Sequence, residues 1–163
     1  MSERQPSQDL FVVRLDDPKD RLAIEKRVGE IASVEPLPGH EDLLLLRIRD
    51  LGSKPRATWA RLHDALGDVY VAPAILDERG AVSYPTGRVS VRFKNAPETK
   101  DLERFAEKRN LKLVTVNKYV AEQAVFEPQG SGEYLPDVVK SVEADADVDT
   151  AWAESLSSYK RGV

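Results

Sequence analysis

The chain has 163 residues, 41% hydrophobic and 32% charged, with a net charge of −4 and no cysteine. That length holds one ordinary domain or two small ones that lean on each other, with enough apolar material for a core. The acidic balance leaves no footprint for a phosphate backbone, the missing cysteines exclude disulfides and thiolate metal sites, and apolar runs such as Leu43–Leu46 fall far short of a membrane span.

Residues 1–9, MSERQPSQD, are polar. They lack the apolar stretch of a secretory signal and read as a disordered lead-in, which places the chain in the cytoplasm. LFVVRL (10–15) is apolar and β-rich and predicts a strand. In DDPKD, Asp17 is the expected N-cap and Pro18 the first helical residue. The helix then runs to about Ile31, with Leu22, Ile24, Val28 and Ile31 near one face. SVEPL (33–37) is a short strand, PGHED (38–42) a turn and LLLLRI (43–48) a buried strand. LGSKP breaks the chain, and RATWARLHDAL (56–66) spaces Trp59, Leu62, His63 and Leu66 as a helix does. DVYVAPAIL (68–76) closes this part as a strand. Its Pro73 cannot donate to a ladder, so the strand is an edge there. The order is βαββαβ.

DERGAVSYPT (77–86) is a linker, or a hairpin carried between two units. After it the order recurs. GRVSVRFK (87–94) alternates, with Val89, Val91 and Phe93 pointing one way. Residues 95–110 form a helix entered through Pro97, with Leu102, Phe105 and Ala106 inward. Residues 111–128 hold two strands meeting near Asn117–Tyr119, QGSGE is a break, 134–145 a helix and 147–154 the last strand. DVYVAPAIL and DVDTAWAES both open Asp-Val and place alanines at their fifth and seventh positions. Asp68 and Asp147 lie 79 positions apart, as do Pro18 and Pro97. The expected fold class is therefore α+β: two tandem ferredoxin-like units at 10–76 and 87–154, antiparallel sheets with helices on one face, followed by an extended tail at 155–163. The expected cores are Val12 or Val13, Ile24, Val28, Leu45, Trp59, Leu62 and Val69 in the first unit. In the second they are Val91, Phe93, Leu102, Phe105, Val114, Val125, Val138, Val142 and Val148.

No set of residues has the spacing of a catalytic site. The two histidines, His40 in a turn and His63 on a helix, have no ligand at i+4 and read as surface residues. There is no Gly-x-Ser-x-Gly elbow, and Ser155, Ser157 and Ser158 lie in a polar tail without a base. The GSG at 130–132 lacks the lysine of a phosphate loop. SVRFK resembles the first strand of an RNA-recognition sheet, but the partner strand AEQAVFEP carries one aromatic between two glutamates, which argues against RNA. An acylphosphatase-type loop needs an arginine where this chain has acidic DDPKD. The chain reads as a non-enzyme that needs no cofactor or metal.

The segment PTGRVSVRFKNAPETKDLERFAEKRNLKLVTVNKYVAEQAVFEP, with YLPDVVKSVEADADVDTAWAES after it, resembles the propeptide domain of subtilisin-like serine proteases over about residues 85–155. The likeness lies in the VxVxF strand, the Glu- and Lys-rich helix, the paired strands and the closing D-V-x-x-A-x-x-E strand. Trp152-Ala153 stands where that family tends to have Glu-Pro. The resemblance implies a ferredoxin-like inhibitor or folding-assisting prodomain whose sheet packs on the protease and whose C-terminal tail lies product-like in the active-site cleft. Without subtilase catalytic motifs, the chain would be a separate inhibitor or a detached prosegment. The implied contact residues are Tyr119, Glu122, Trp152, Glu154, Leu156, Ser157, Ser158, Tyr159, Lys160, Arg161, Gly162 and Val163. Glu122, Glu127 and Glu154 suit capping of a partner's helix N-termini, and Tyr159 a subsite. An extended tail can add to a cleft as a strand. The rival reading is an interaction adaptor built on paired sheets. A small-molecule regulatory module is disfavoured, since the usual glycine-containing loop after the first strand is missing.

Overall fold

A computed structural model describes residues 5–50, 52–130 and 133–157. The chain is mixed α+β, an antiparallel sheet of eight strands with four α-helices among the described residues. Among the described residues the contacts group into two units: one runs to Pro85 and takes in residues 155–157, the other is Thr86–Glu154.

The first unit contains β1 (Gln5–Arg14), a 3-10 turn (Pro18–Asp20), α1 (Arg21–Val28), β2 (Ala32–Leu37), β3 (His40–Ile48), α2 (Pro55–Leu66), β4 (Tyr70–Leu76) and the start of β5 (Val82–Phe93). Its strands lie in the order β2-β3-β1-β4. β1 pairs with β3 from Leu10↔Arg47 to Arg14↔Leu43, and with β4 from Phe11↔Pro73 to Arg14↔Tyr70. Side chains alternate across a strand. Phe11, Val13, Leu44, Leu46, Ile48 and Val71 therefore share one face, where they pack with Ile24 and Val28 of α1 and Leu62 and Leu66 of α2. Trp59 and Val69 pack against this cluster, part-exposed. Val12, Leu45 and Ala72, on the other face, are buried too. A strand buried on both faces needs no polar alternation, which explains four consecutive leucines in β3.

The first helix signal acts as expected at its start. The Asp17 carboxylate accepts the Lys19 N–H at 3.0 Å and Pro18 opens the turn. Leu22, expected near the inner face of α1, is instead 69% exposed. Ile24 and Val28, one turn apart, define the inner face, and a residue two positions before Ile24 points about 200° away from it. Pro73 pairs with β1, whereas β5 meets β4 further on, at Ile75 and Leu76.

Two expected boundaries change. Residues 1–9 are not all a lead-in, because β1 begins at Gln5, with Gln5↔Leu76 and Pro6↔Ile75. A register shift follows Pro6. There the buried Ser7 hydroxyl accepts the Leu10 N–H at 3.1 Å and donates to Asp9 at 2.8 Å. Side-chain oxygen replaces a ladder partner, so a polar sequence serves as strand. Of the two readings of 77–86, linker or hairpin, the chain takes the hairpin, a tight turn and then a strand that pairs Ile75 with Ser83 and Leu76 with Val82. Asp77 Oδ1 accepts the N–H groups of Arg79 at 2.9 Å and Ala81 at 2.8 Å, Gly80 takes φ 79°, and β5 starts at Val82.

The Tyr70 hydroxyl is buried without a hydrogen-bond partner among the described residues, and burial pushes its pKa well above the usual phenol range while Arg14 opposes the shift. Removing an unsatisfied buried hydroxyl relieves its desolvation. Tyr70→Phe should leave stability unchanged or raise it by up to about 1 kcal/mol, measured by urea denaturation; a loss larger than that would show that the hydroxyl has a partner.

The second unit continues β5 and adds α3 (Thr99–Lys108), β6 (Leu111–Val116), β7 (Gln123–Pro128), α4 (Leu135–Glu143) and β8 (Val148–Ser157). Its order is β6-β7-β5-β8, so each unit sets its last strand beside its first. Pro97 does not begin α3: Glu98 is the N-cap, in a reciprocal capping box with Asp101. The core is an aromatic triad. Phe93 meets Phe105 edge-on at 5.1 Å between centroids, Phe105 meets Phe126 at 5.2 Å, and Phe93 meets Phe126 at 6.4 Å. Val91, Leu102, Val142 and Val148 are buried as expected. Val114, Val125 and Val138 are only half-buried, while Phe126, Leu111, Tyr134 and Leu135 are buried in addition. Val125 pairs with Ser90 and shares the face away from the triad, and Val114 sits in a register shift between Leu113 and Thr115.

Candidate functional site

The triad fixes which way each strand of the second unit faces. Val89, Val91 and Phe93 of β5 point toward α3, so Arg88, Ser90 and Arg92 point to the helix-free side. Val125 and Gln123 of β7 join them through the pairs Ser90↔Val125 and Arg92↔Gln123. β8 completes this face. The Ser90 hydroxyl, on a buried residue, donates to Glu154 Oε1 at 3.1 Å, and the Thr86 hydroxyl donates to the Glu154 carbonyl at 3.4 Å. Alternation then puts Trp152 on the same side, half-buried. Apolar side chains thus lie among charges of both signs, a composition suited to a protein partner.

A hairpin joins β6 to β7. The Asn117 side-chain carbonyl accepts the N–H groups of Tyr119 at 2.9 Å and Val120 at 3.1 Å. The Asn117 N–H donates to Gln123 at 3.0 Å, Gln123 N–H to Val120 at 3.1 Å, and Phe93 N–H to the Glu122 carbonyl at 2.7 Å. This is an Asx turn. It holds Tyr119 at the tip, 96% exposed.

An ion pair ties the two helices of this side together. Arg109 Nη2 donates to Asp145 Oδ2 at 2.8 Å, and its Nη1 donates to the Ser141 carbonyl and hydroxyl at 3.0 and 2.8 Å. The Asp147 N–H on Asp145 Oδ1 at 2.9 Å, reinforced by Arg109, holds the Asp145 carboxyl below its ordinary range. Arg109 also lines a cleft of about 200 Å³ with Asp137, Ser141 and Val142. His63 stacks on Trp59 at 5.0 Å, and the Trp59 indole N–H donates to the Val71 carbonyl at 2.9 Å. Among the described residues no group of three or more His, Asp or Glu is placed to hold a metal ion, and no helix is long and apolar enough to cross a membrane.

Of the expected contact residues, Trp152 and Glu154 fall together on the helix-free face, while Tyr119 and Glu122 belong to the hairpin. Leu156 is half-buried in β8. That strand runs on to Ser157, three residues beyond its expected end, so the tail does not begin at Ser155. β8 as a whole pairs with β5. Ser158, Tyr159, Lys160, Arg161, Gly162 and Val163 lie outside the described residues. Ser90 escaped the sequence reading. Its one signal was a small polar residue between Val89 and Val91, where period two opens a second face. Compared with known families and curated proteins, the sequence finds no match: no family model fits it and no curated protein aligns with it.

Proposed function

We propose that this chain is a non-enzymatic inhibitor or folding-assisting prodomain of a subtilisin-like serine protease, made of two ferredoxin-like units. The observation that carries the reading is β8. It lies beside β5, shows Trp152 and Glu154 on the helix-free face, and leads directly toward the C-terminal segment. The strand orders β2-β3-β1-β4 and β6-β7-β5-β8 support the tandem ferredoxin-like description, since both match the split βαβ pattern. In this reading the helix-free face meets the protease, and residues 158–163 enter its cleft as an added strand. Six extended residues reach about 20 Å, enough to cross a substrate cleft.

Removing residues 158–163 should leave the thermal midpoint unchanged and weaken inhibition at least tenfold, roughly 1.4 kcal/mol. Inhibition constants against a panel of subtilisin-type proteases measure this. Equal inhibition by the shortened chain would move binding to the sheet face. A full chain that inhibits none of them at micromolar concentration would discard the protease reading in favour of an adaptor that recruits another partner through the same face.

A further inference from the structure

The Thr86–Glu154 unit holds a larger cleft than the one beside Ser141, of about 430 Å³. α3 supplies one wall through Asp101, Arg104 and Lys108, which helical spacing sets in a row beside Phe105. The turn from α4 into β8 supplies another through Asp145 and Asp147, and the loop after β5 borders the cleft at Pro97. Its apolar lining is the edge-on pair Phe93 and Phe105, both buried. A concave site of a few hundred Å³ with an aromatic lining and a few placed charges has the build of a small-molecule site.

Several of its charges are already committed. Asp145 accepts from Arg109 at 2.8 Å and from the Asp147 N–H at 2.9 Å, and Lys108 lies close enough to stabilise its charge. Asp101 Oδ2 accepts the Glu98 N–H at 3.1 Å in the capping box. The Arg104 guanidinium and the Asp147 carboxylate are different: among the described residues neither side chain has a hydrogen bond or an ion pair. They line one cleft yet stay more than 4.0 Å apart. Isolated exposed charges are simply solvated, but these two face a shaped space with an apolar lining, and both are anchored. Arg104 stands on a capped helix, and the Asp147 main chain is pinned by Asp145 on one side and by the Lys94 N–H at 2.9 Å on the other. Little ordering is left for a ligand to impose. A plain anion drawn to Arg104 meets three carboxylates, and a plain cation drawn to Asp147 meets Arg104 and Lys108. A molecule with one charge of each sign satisfies both walls.

We infer that this cleft binds a small zwitterion with an apolar body, the chemistry shared by a large apolar α-amino acid and a short apolar peptide. The ligand carboxylate takes the Arg104 fork, the ammonium takes the Asp147 carboxylate, and the apolar part covers Phe93 and Phe105. The loop after β5, residues 94–97, contains no glycine, so recognition falls to side chains rather than to a close backbone approach. The bound molecule bridges α3 to the turn before β8 and stabilises the folded unit by mass action. The inference is independent of the protease-inhibitor reading and stands or falls without it.

The test titrates the isotope-labelled full chain with L-phenylalanine and with L-leucyl-L-leucine, following backbone amide shifts by NMR. At least one should bind with a Kd on the order of 1 mM, the range for so small a ligand. The shifts should centre on residues 95–108 and 145–147, and the tighter binder identifies the source, free amino acid or peptide. Phenylpropionate, which lacks the ammonium, and phenethylamine, which lacks the carboxylate, should each bind about tenfold more weakly than phenylalanine, or not at all. Arg104→Ala and Asp147→Asn should each weaken binding of the zwitterion by about tenfold. Both variants should keep the thermal midpoint of the free protein, because neither side chain has a partner to lose. The inference is overturned if neither zwitterion shifts these amides at about 10 mM. It is overturned equally if phenylpropionate or phenethylamine binds as well as phenylalanine, or if both variants keep full affinity.

Discussion

Replacing Phe126 with alanine should lower the unfolding free energy by about 3–5 kcal/mol, the range for a large aromatic removed from a well-packed core. Phe126 is fully buried on β7, between the pairings Val89↔Phe126 and Leu113↔Phe126. Its ring is the shared member of two contacts, with Phe105 at 5.2 Å and Phe93 at 6.4 Å. The loss thus combines transfer of the ring with a cavity that α3 cannot close, because strands on both sides hold the backbone. Chemical denaturation should show a lower midpoint with an unchanged slope if the variant still unfolds in one step. Phe126→Leu should recover much of the difference. A loss below about 1 kcal/mol for the alanine variant would mean that the core collapses around the gap.

Arg109→Met should cost about 1.5–3 kcal/mol at neutral pH, the range for hydrogen bonds to charged groups. Methionine keeps the apolar stem over Phe105, whose ring lies 6.0 Å from the guanidinium carbon. What it removes is the link from the end of α3 to Ser141 and Asp145 near the end of α4. The pH dependence has a definite sign. Asp145 has a folded pKa below its ordinary value of 3.8. Its contribution to stability is therefore complete above about pH 4 and fades as the pH falls through the folded value. The gap between the parent and Arg109→Met should narrow below pH 4, while the Asp147 N–H keeps part of the effect in both proteins. Urea denaturation at pH 7 and pH 3 measures it. A gap that stays constant over this range would show that Arg109 acts by packing alone.

Much of the fold was legible because the signals are local. Asp17-Pro18 marks a helix start wherever it lies, and Val89, Val91 and Phe93 declare a strand face by alternation. The failures share one cause. Leu22 looked like a core residue in composition, but its phase relative to Ile24 and Val28 turns it outward. Gln5–Asp9 looked like a tail, because its strand character comes from Leu76 and Ile75 across the ladder and from Ser7 within it. Ser155–Ser157 looked like a tail for the same reason. In the candidate site, Trp152, Glu154 and Tyr119 entered through the resemblance rather than through a local signal. Ser90 and the Asn117 clamp were not read at all.

Taken alone, the amino-acid order determined the succession βαββαβ twice, the Asp17-Pro18 helix start and most of the buried positions, since each depends on neighbours within a turn or a strand. Tertiary structure decided register, strand ends and the partners of polar side chains. Those depend on hydrogen bonds between residues far apart in sequence, such as Ser90 with Glu154 and Arg109 with Asp145. Periodicity can say that a residue faces inward. Only the folded chain determines which residue it meets there, because that choice is made by the whole sheet at once.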